Sequence, residues 1–255
     1  MEASTKKAQP APATALKKAV HFTLQGKGGV GKSLISSYIA QYLRQQGKPV
    51  VVVDTDPVNA TLAGYKAFNA IHLELMKGGS LIERNFDTLI EKIIAEDTNF
   101  VIDNGAASFI PLSAYLVEND AINVIGNHGK QVVIHTVITG GQALRDTLAG
   151  FAALVENLPE QARIIVWLNE FFGDIEAEDK TFEEMRVYQN NIERVGGLVR
   201  IIQQTGSTFG KDVQLMLDKK LTFDEIAASP DFGLMAKSRL AQVKKAIFDQ
   251  LANVL

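Results

Sequence analysis

The chain has 255 residues, 46% hydrophobic and 22% charged, with a formal net charge of −3. A chain of this size buries a sizeable core, and its slightly acidic balance gives no bulk charge for wrapping nucleic acid. It has no cysteine, which excludes disulfides, thiolate metal sites and cysteine-held iron–sulfur clusters, and no apolar run of the roughly 18 residues needed to span a membrane.

In chain order, residues 1–19 hold Lys6, Lys7, Lys17 and Lys18 among alanines and prolines, without the apolar core of a signal peptide. They are expected to form a disordered, mildly basic tail, with weak attachment to an acidic partner or membrane surface as the alternative. Residues 20–255 read as a single domain in which strand-length apolar runs alternate with longer amphipathic stretches. The predicted strands are Val20–Leu24, Val50–Val53, Phe100–Ile102, Ala121–Ile125, Val132–Ile138, Ile164–Leu168 and Leu198–Ile202. The predicted helices are Lys32–Gln46, Leu81–Ala95, Pro111–Glu118, Gly141–Asn157 and Glu183–Arg194, and Gly233–Leu255 has helical spacing of Leu240, Val243, Ile247, Phe248 and Leu251. Continuous Val- and Ile-rich runs fit central parallel strands covered on both faces. The expected fold is α/β, a doubly wound, mostly parallel sheet with right-handed crossovers and helices on both faces. In such sheets ligands bind beyond the carboxyl ends of the strands.

Gly26-Lys27-Gly28-Gly29-Val30-Gly31-Lys32-Ser33 fits G-x-x-x-x-G-K-[ST], between a strand-like and a helix-like stretch, as a P-loop NTPase fold requires. The glycines let successive N–H groups curl around a phosphate, and the helix starting near Gly31 adds its positive end. Lys32 is expected to neutralise β- and γ-phosphate oxygens, and Ser33 to coordinate Mg²⁺. Phe100-Val101-Ile102-Asp103 has the form of a Walker B element, with Asp103 holding Mg²⁺; the structural alternative is an ordinary strand-terminal aspartate. Val51-Val52-Val53-Asp54-Thr55-Asp56-Pro57 ends a second apolar run. On an extended strand Asp54 and Asp56 share one face, which brings both toward the metal and the γ-phosphate; the alternative is a charged turn begun by Pro57.

With its extra lysine, GKGGVGKS resembles the deviant Walker A loop of the ParA/MinD ATPases, and VVVDTDPVNAT is similar to their D-x-D-P-x-x-N-A-T segment. DTDPVNATLAGYKAFN, VIDNGAASFIPLSAYL, HTVITGGQALRDTLAGF, IIVWLNEFFG and LTFDEI resemble one branch, the conjugal-transfer TraL family, from Phe22 to about Leu240. The resemblance implies an ATP/ADP- and Mg²⁺-binding switch of low intrinsic turnover that closes as an ATP-sandwiched homodimer and recruits conjugation machinery. It implies that Lys27 reaches the nucleotide of the opposite subunit, that Asp56 positions or activates the attacking water, that Asp54 supports the metal site, and that Asn169 bonds the adenine ring. A turn cap is the structural alternative for Asn169. Asn104-Gly105-Ala106 departs from the small residues and proline of many relatives, so the switch loop is expected to move differently. Ser33-Leu34 replaces a common Thr-Thr pair and keeps the metal-binding hydroxyl.

His21, His72, His128 and His135 have no ligand spacing and read as core or surface residues. Asp174, Glu176, Glu178 and Asp179 read as a solvated loop, Trp167 as core, and Gly140-Gly141 as a helix-capping turn. The C-terminal stretch is expected to dock on the sheet; the alternative is a basic amphipathic helix meeting a membrane or a DNA backbone. An ATP-dependent metabolic ligase of the same fold is the alternative function, but no substrate constellation stands out beside the phosphate loop. Cytoplasmic placement is expected, with peripheral inner-membrane association as the alternative.

Overall fold

The computed structural model describes residues 18–56, 59–203 and 208–255. The expected tail, apart from Lys18 and Ala19, and the Pro57 turn lie outside the described residues.

The strands are β1 Ala19–Thr23, β2 Val50–Asp54, β3 Ile71–His72, β4 Met76–Lys77, β5 Ser80–Leu81, β6 Asn99–Asp103, β7 Gln131–Thr139, β8 Arg163–Asn169, β9 Glu176–Ala177, β10 Lys180–Thr181 and β11 Val195–Ile201. The α-helices are α1 Lys32–Gln45, α2 Glu83–Ala95, α3 Phe109–Glu118, α4 Ala121–Asn127, α5 Leu144–Asn157, α6 Arg186–Gln189, α7 Phe209–Asp218, α8 Phe223–Ala228 and α9 Leu234–Val254. Seven strands form one sheet in the order β11-β8-β7-β1-β6-β2-β3, and every pairing in it is parallel. β4–β5 and β9–β10 are separate antiparallel hairpins.

The helices divide between the two faces. Successive residues of a strand point to opposite sides, so Val53, Ile102, Ile134 and Val166 enter one core with residues of α2, α3, α4 and α5. Their neighbours Val52, Val101, Val133 and Ile165 enter the other, with α1, α8 and α9. Strands buried on both sides cannot alternate apolar with polar, which is why the runs are continuous. The sheet is doubly wound, as expected.

β11 is an edge strand, and α9 closes part of its open side. Gln250 accepts from the Arg200 backbone N–H at 2.7 Å and donates to the Arg200 carbonyl at 3.1 Å, as a neighbouring strand would. The apolar face of α9, including Leu240, Ile247 and Leu251, is buried. Of its cations, Arg239, Lys244 and Lys245 pair with Asp212, Asp224 and Asp249. The docked helix is therefore what the structure shows. Among the described residues no helix is long and apolar enough to cross a membrane.

Two expected elements differ. Ala121–Ile125 is helical, not a strand: α4 buries Ala121, Ile122 and Ile125, one face of a helix, and a five-residue apolar run cannot distinguish the two periods. Glu183–Arg194 is not one helix either. Met185 is extended at φ −70°, ψ 141°, which separates a 3₁₀ turn at Phe182–Glu184 from α6, and a further 3₁₀ turn covers Ile192–Arg194. A capping box at Thr181 and Glu184 fixes the first turn.

Candidate nucleotide-binding site

The loop between β1 and α1 has the geometry its glycines predict. Gly29 stands at φ 73° and Gly31 at φ 104°, conformations that L side chains rarely adopt. Gly31 is the residue before α1, so the helix opens directly onto the loop. The loop borders a cavity of about 530 Å³ lined by Gly28, Gly29, Gly31, Lys32, Ser33, Asp56, Asn59, Thr61 and Ala106, among others. Lys32 is 7% exposed and donates from Nζ to the Lys27 carbonyl at 3.0 Å. Burial lowers its pKa, while the Asp103 and Asp56 carboxylates oppose that shift.

Asp103 ends β6 beside Asp54 of β2. It is buried, with the Ser36 hydroxyl donating to Oδ1 at 3.1 Å; Ser36 also meets the Thr23 hydroxyl at 2.8 Å. Its other oxygen, Oδ2, has no hydrogen-bond partner. Burial pushes the Asp103 carboxyl up to about 7; Asp54 adds to the rise, while Ser33, Ser36 and Lys32 oppose it. An unsatisfied carboxylate oxygen next to Ser33 and Lys32 fits a divalent cation, which would remove the cost of keeping that charge buried. Among the described residues no three His, Asp or Glu side chains converge as a metal site.

β2 ends at Asp54, so the period-two alternation does not extend to Asp56. Asp54 is fully buried and organises the next loop, accepting from the Asp56 N–H at 3.1 Å and the Ala63 N–H at 2.8 Å. Asp56 lines the cavity and accepts from the Asn59 N–H at 3.2 Å.

Lys27 is not among the residues lining that cavity. Its Nζ lies 2.8 Å from Asp146 Oδ2, in the first turn of α5. Asn169, at the end of β8, accepts from the Phe171 N–H at 3.2 Å, the turn cap weighed above, and donates to the Val30 carbonyl at 2.9 Å. It also lines a second cavity of about 600 Å³, shared with Gly29, Gly31, Tyr38 and Phe171.

The CobQ/CobB/MinD/ParA nucleotide binding domain matches residues 22–213, from β1 into α7. The chain belongs to this family. Two relatives in Escherichia coli, each named protein TraL, extend the match. One is 47% identical over 232 residues, covering 91% of this chain and 96% of its own. The other is 45% identical over 234 residues, covering 92% and 97%. Among solved structures, the MinD cell division protein of Aquifex aeolicus aligns with a TM-score of 0.50 at 14% identity, over 91% of this chain and 97% of its own. That likeness concerns the fold. The ParA/MinD resemblance read from the three motifs is thus a family membership, and the chain is a ParA/MinD-like P-loop protein.

In this nucleotide-binding domain two residues position the site in ways that the motif reading did not assign. Gln25 is 1% exposed; its amide donates to the Val137 and Thr147 carbonyls at 2.9 and 3.1 Å, and its oxygen accepts from Gly26 N–H at 2.8 Å. It moors the start of the phosphate loop to β7 and α5. Asn104 donates to the Thr23 and Ile102 carbonyls and accepts from Thr55, joining the ends of β1, β2 and β6 beneath the site. Neither role is visible in local spacing, because Val137 and Thr147, and Thr23 and Thr55, lie far away in sequence. Of the declined residues, His21, His135 and Trp167 are buried, His72 and His128 are exposed, and the acidic run spans the exposed β9–β10 hairpin.

Proposed function

We propose that this chain is an ATP-dependent dimerisation switch of the ParA/MinD type, with slow hydrolysis, acting in conjugative DNA transfer. The observation that carries the reading is the separation of the two loop lysines. Lys32 lies in the phosphate cavity, whereas Lys27 lies outside it on an ion pair with Asp146. One lysine suffices to neutralise a phosphate held in the same chain; a second, outside that cavity, suits a phosphate held by another.

In this account the loop N–H groups and the α1 N-terminus cradle the phosphates of ATP or ADP. Ser33 and Asp103 hold Mg²⁺, and Asp54 keeps the neighbouring loop in shape. Bound there, the metal supplies positive charge to β- and γ-phosphate oxygens. Asp56 orients the attacking water from the cavity wall. Asn169 contacts adenine with the hydrogen-bonding capacity left over after its bonds to Val30 and Phe171. Hydrolysis is slow in an isolated subunit because part of the charge stabilisation comes from Lys27 of a second copy. The dimer recruits a component of the conjugation machinery and releases it on hydrolysis.

Nucleotide titrations of Lys32→Ala and Lys27→Ala test this division. Lys32→Ala is expected to lose nucleotide affinity, while Lys27→Ala retains most of it and loses ATP-dependent self-association and turnover. Equal loss of nucleotide affinity in both variants overturns the reading.

A further inference from the structure

β8 ends at Asn169 and runs into a 3₁₀ turn, Glu170–Phe172, whose two phenylalanines stay largely in solvent. Phe171 is 64% and Phe172 49% exposed, with their rings edge-on and their centroids 5.0 Å apart. Both line the second cavity, together with Asn169 and Arg200. Gly29, Gly31 and Leu34 border that cavity and the phosphate cavity alike, so one molecule can span the two. An exposed phenyl pair gains little from folding, whereas a flat ring laid on it removes apolar surface of both partners from water. A nucleobase offers such a ring, and stacking of bases on aromatic side chains is a common way to hold them.

Arg200 braces this turn from outside. Its backbone is fixed on β11, where Gln250 of α9 bonds both its N–H and its carbonyl. One guanidinium nitrogen donates to Glu170 at 3.0 Å and the other to Glu183. Glu183 belongs to the capped 3₁₀ turn Phe182–Glu184, and Phe182 beside it is fully buried against Phe151 of α5. A strand, a helix and a buried turn thus hold the arginine, and the arginine holds Glu170, the residue that begins the aromatic turn. Two nitrogens on two separate carboxylates is a fork that lysine cannot reproduce.

We propose that Arg200 is a positioning residue: through Glu170 it sets the Phe171–Phe172 pair as a stacking platform for the base of a nucleotide whose phosphates lie in the loop. It acts through the turn rather than by touching the base. Without the fork, the two rings have no fixed height relative to Asn169 at the root of the turn, and a base can no longer meet the rings and the Asn169 amide together. The assignment rests on the nucleotide reading above and adds to it the residues that hold the base end.

Isothermal titration of the full chain with Mg²⁺ tests this by comparing ATP with inorganic tripolyphosphate, which has the phosphates and no base. The wild type is expected to bind ATP about tenfold tighter or more. Arg200→Gln and Glu170→Ala each weaken ATP about tenfold and leave tripolyphosphate within about twofold. Glu170→Ala frees the turn while Arg200 keeps Glu183, so it carries the test even if Arg200→Gln fails to fold. Phe171→Ala/Phe172→Ala loses the same preference for ATP, and adding Arg200→Gln to it weakens ATP no further, because no platform is left to position. Four results would each overturn the proposal. They are unchanged ATP affinity in both Arg200→Gln and Glu170→Ala, equal loss for the two ligands, a wild type that binds both equally, and losses that add in full with Phe171→Ala/Phe172→Ala. A wild type that binds neither ligand overturns the nucleotide reading itself.

Discussion

Lys27 and Asp146 meet at 2.8 Å across 119 residues of sequence, one in the phosphate loop and the other in the first turn of α5. Their side chains are 43% and 58% exposed, so water screens the pair and its worth is about 0–1 kcal/mol. That is enough to favour one resting place for the lysine and too little to hold it against a phosphate. The same helix is tied to the loop a second time, through Gln25 and the Thr147 carbonyl.

Asp146→Asn should release Lys27 while leaving the fold intact. Chemical denaturation is expected to shift by less than about 1 kcal/mol, and sedimentation with ATP and Mg²⁺ to show tighter self-association than the wild type. Association no tighter than wild type would mean that the ion pair does not compete with a contact across the dimer.

Gly150→Ala tests the second tie from a distance. A Cβ at Gly150 would stand 2.1 Å from Gln25 Oε1, so the buried amide must move and lose bonds to Val137, Thr147 or Gly26. Breaking such a buried network costs about 1–3 kcal/mol, outweighing the helix propensity that alanine adds. Both a lower melting temperature and weaker nucleotide binding are expected, although the residue is outside the phosphate cavity. A variant as stable as the wild type would show that Gln25 has another equally good position.

Asn169 acts on the loop through its amide. Asn169→Ala removes the bonds to Val30 and Phe171 and is expected to cost about 1–3 kcal/mol of stability. Asn169→Asp keeps the acceptor for Phe171 but sets a carboxylate against the Val30 carbonyl, and should weaken nucleotide binding further than alanine does. If isothermal titration ranks the two variants the other way, the bond to Val30 is not what shapes the loop.

The buried histidines set an acid limit on stability. Trp167 Nε1–H donates to His135 Nδ1 at 3.0 Å, which leaves the His135 proton on Nε2, facing His21 Nδ1 at 2.9 Å. Burial lowers His21 from 6.5 to about 3, and His135 well below its usual value. Both folded pKa values are depressed, so the unfolded chain binds more protons and stability falls as pH drops below 6.5. Between pH 6.5 and 5 His21 accounts for roughly 2 kcal/mol. Denaturation across that window should give a shallower pH slope for His21→Leu than for wild type, by about one proton. An unchanged slope would mean that His21 titrates in the folded protein.

The phosphate loop was legible because everything it needs is contiguous: glycines for the turn, Lys32 and Ser33 at fixed offsets, a strand before and a helix after. Asp103 was legible for the same reason, as the polar end of an apolar strand. The shared face expected of Asp54 and Asp56 rested on an alternation that holds only while the strand lasts, and β2 stops at Asp54. Ala121–Ile125 was too short for periodicity to tell helix from strand. Gln25, Asp146 and the Asn169–Val30 bond left no trace in the sequence, since their partners come together only when the sheet forms.

The central claim, that nucleotide binding is read out as dimerisation, is tested most directly by the mass in solution of Asp56→Ala with and without ATP and Mg²⁺, by light scattering after size exclusion. This variant should bind ATP, fail to hydrolyse it, and accumulate as a dimer that added Lys27→Ala returns to monomer. A protein that binds ATP and stays monomeric would contradict the account.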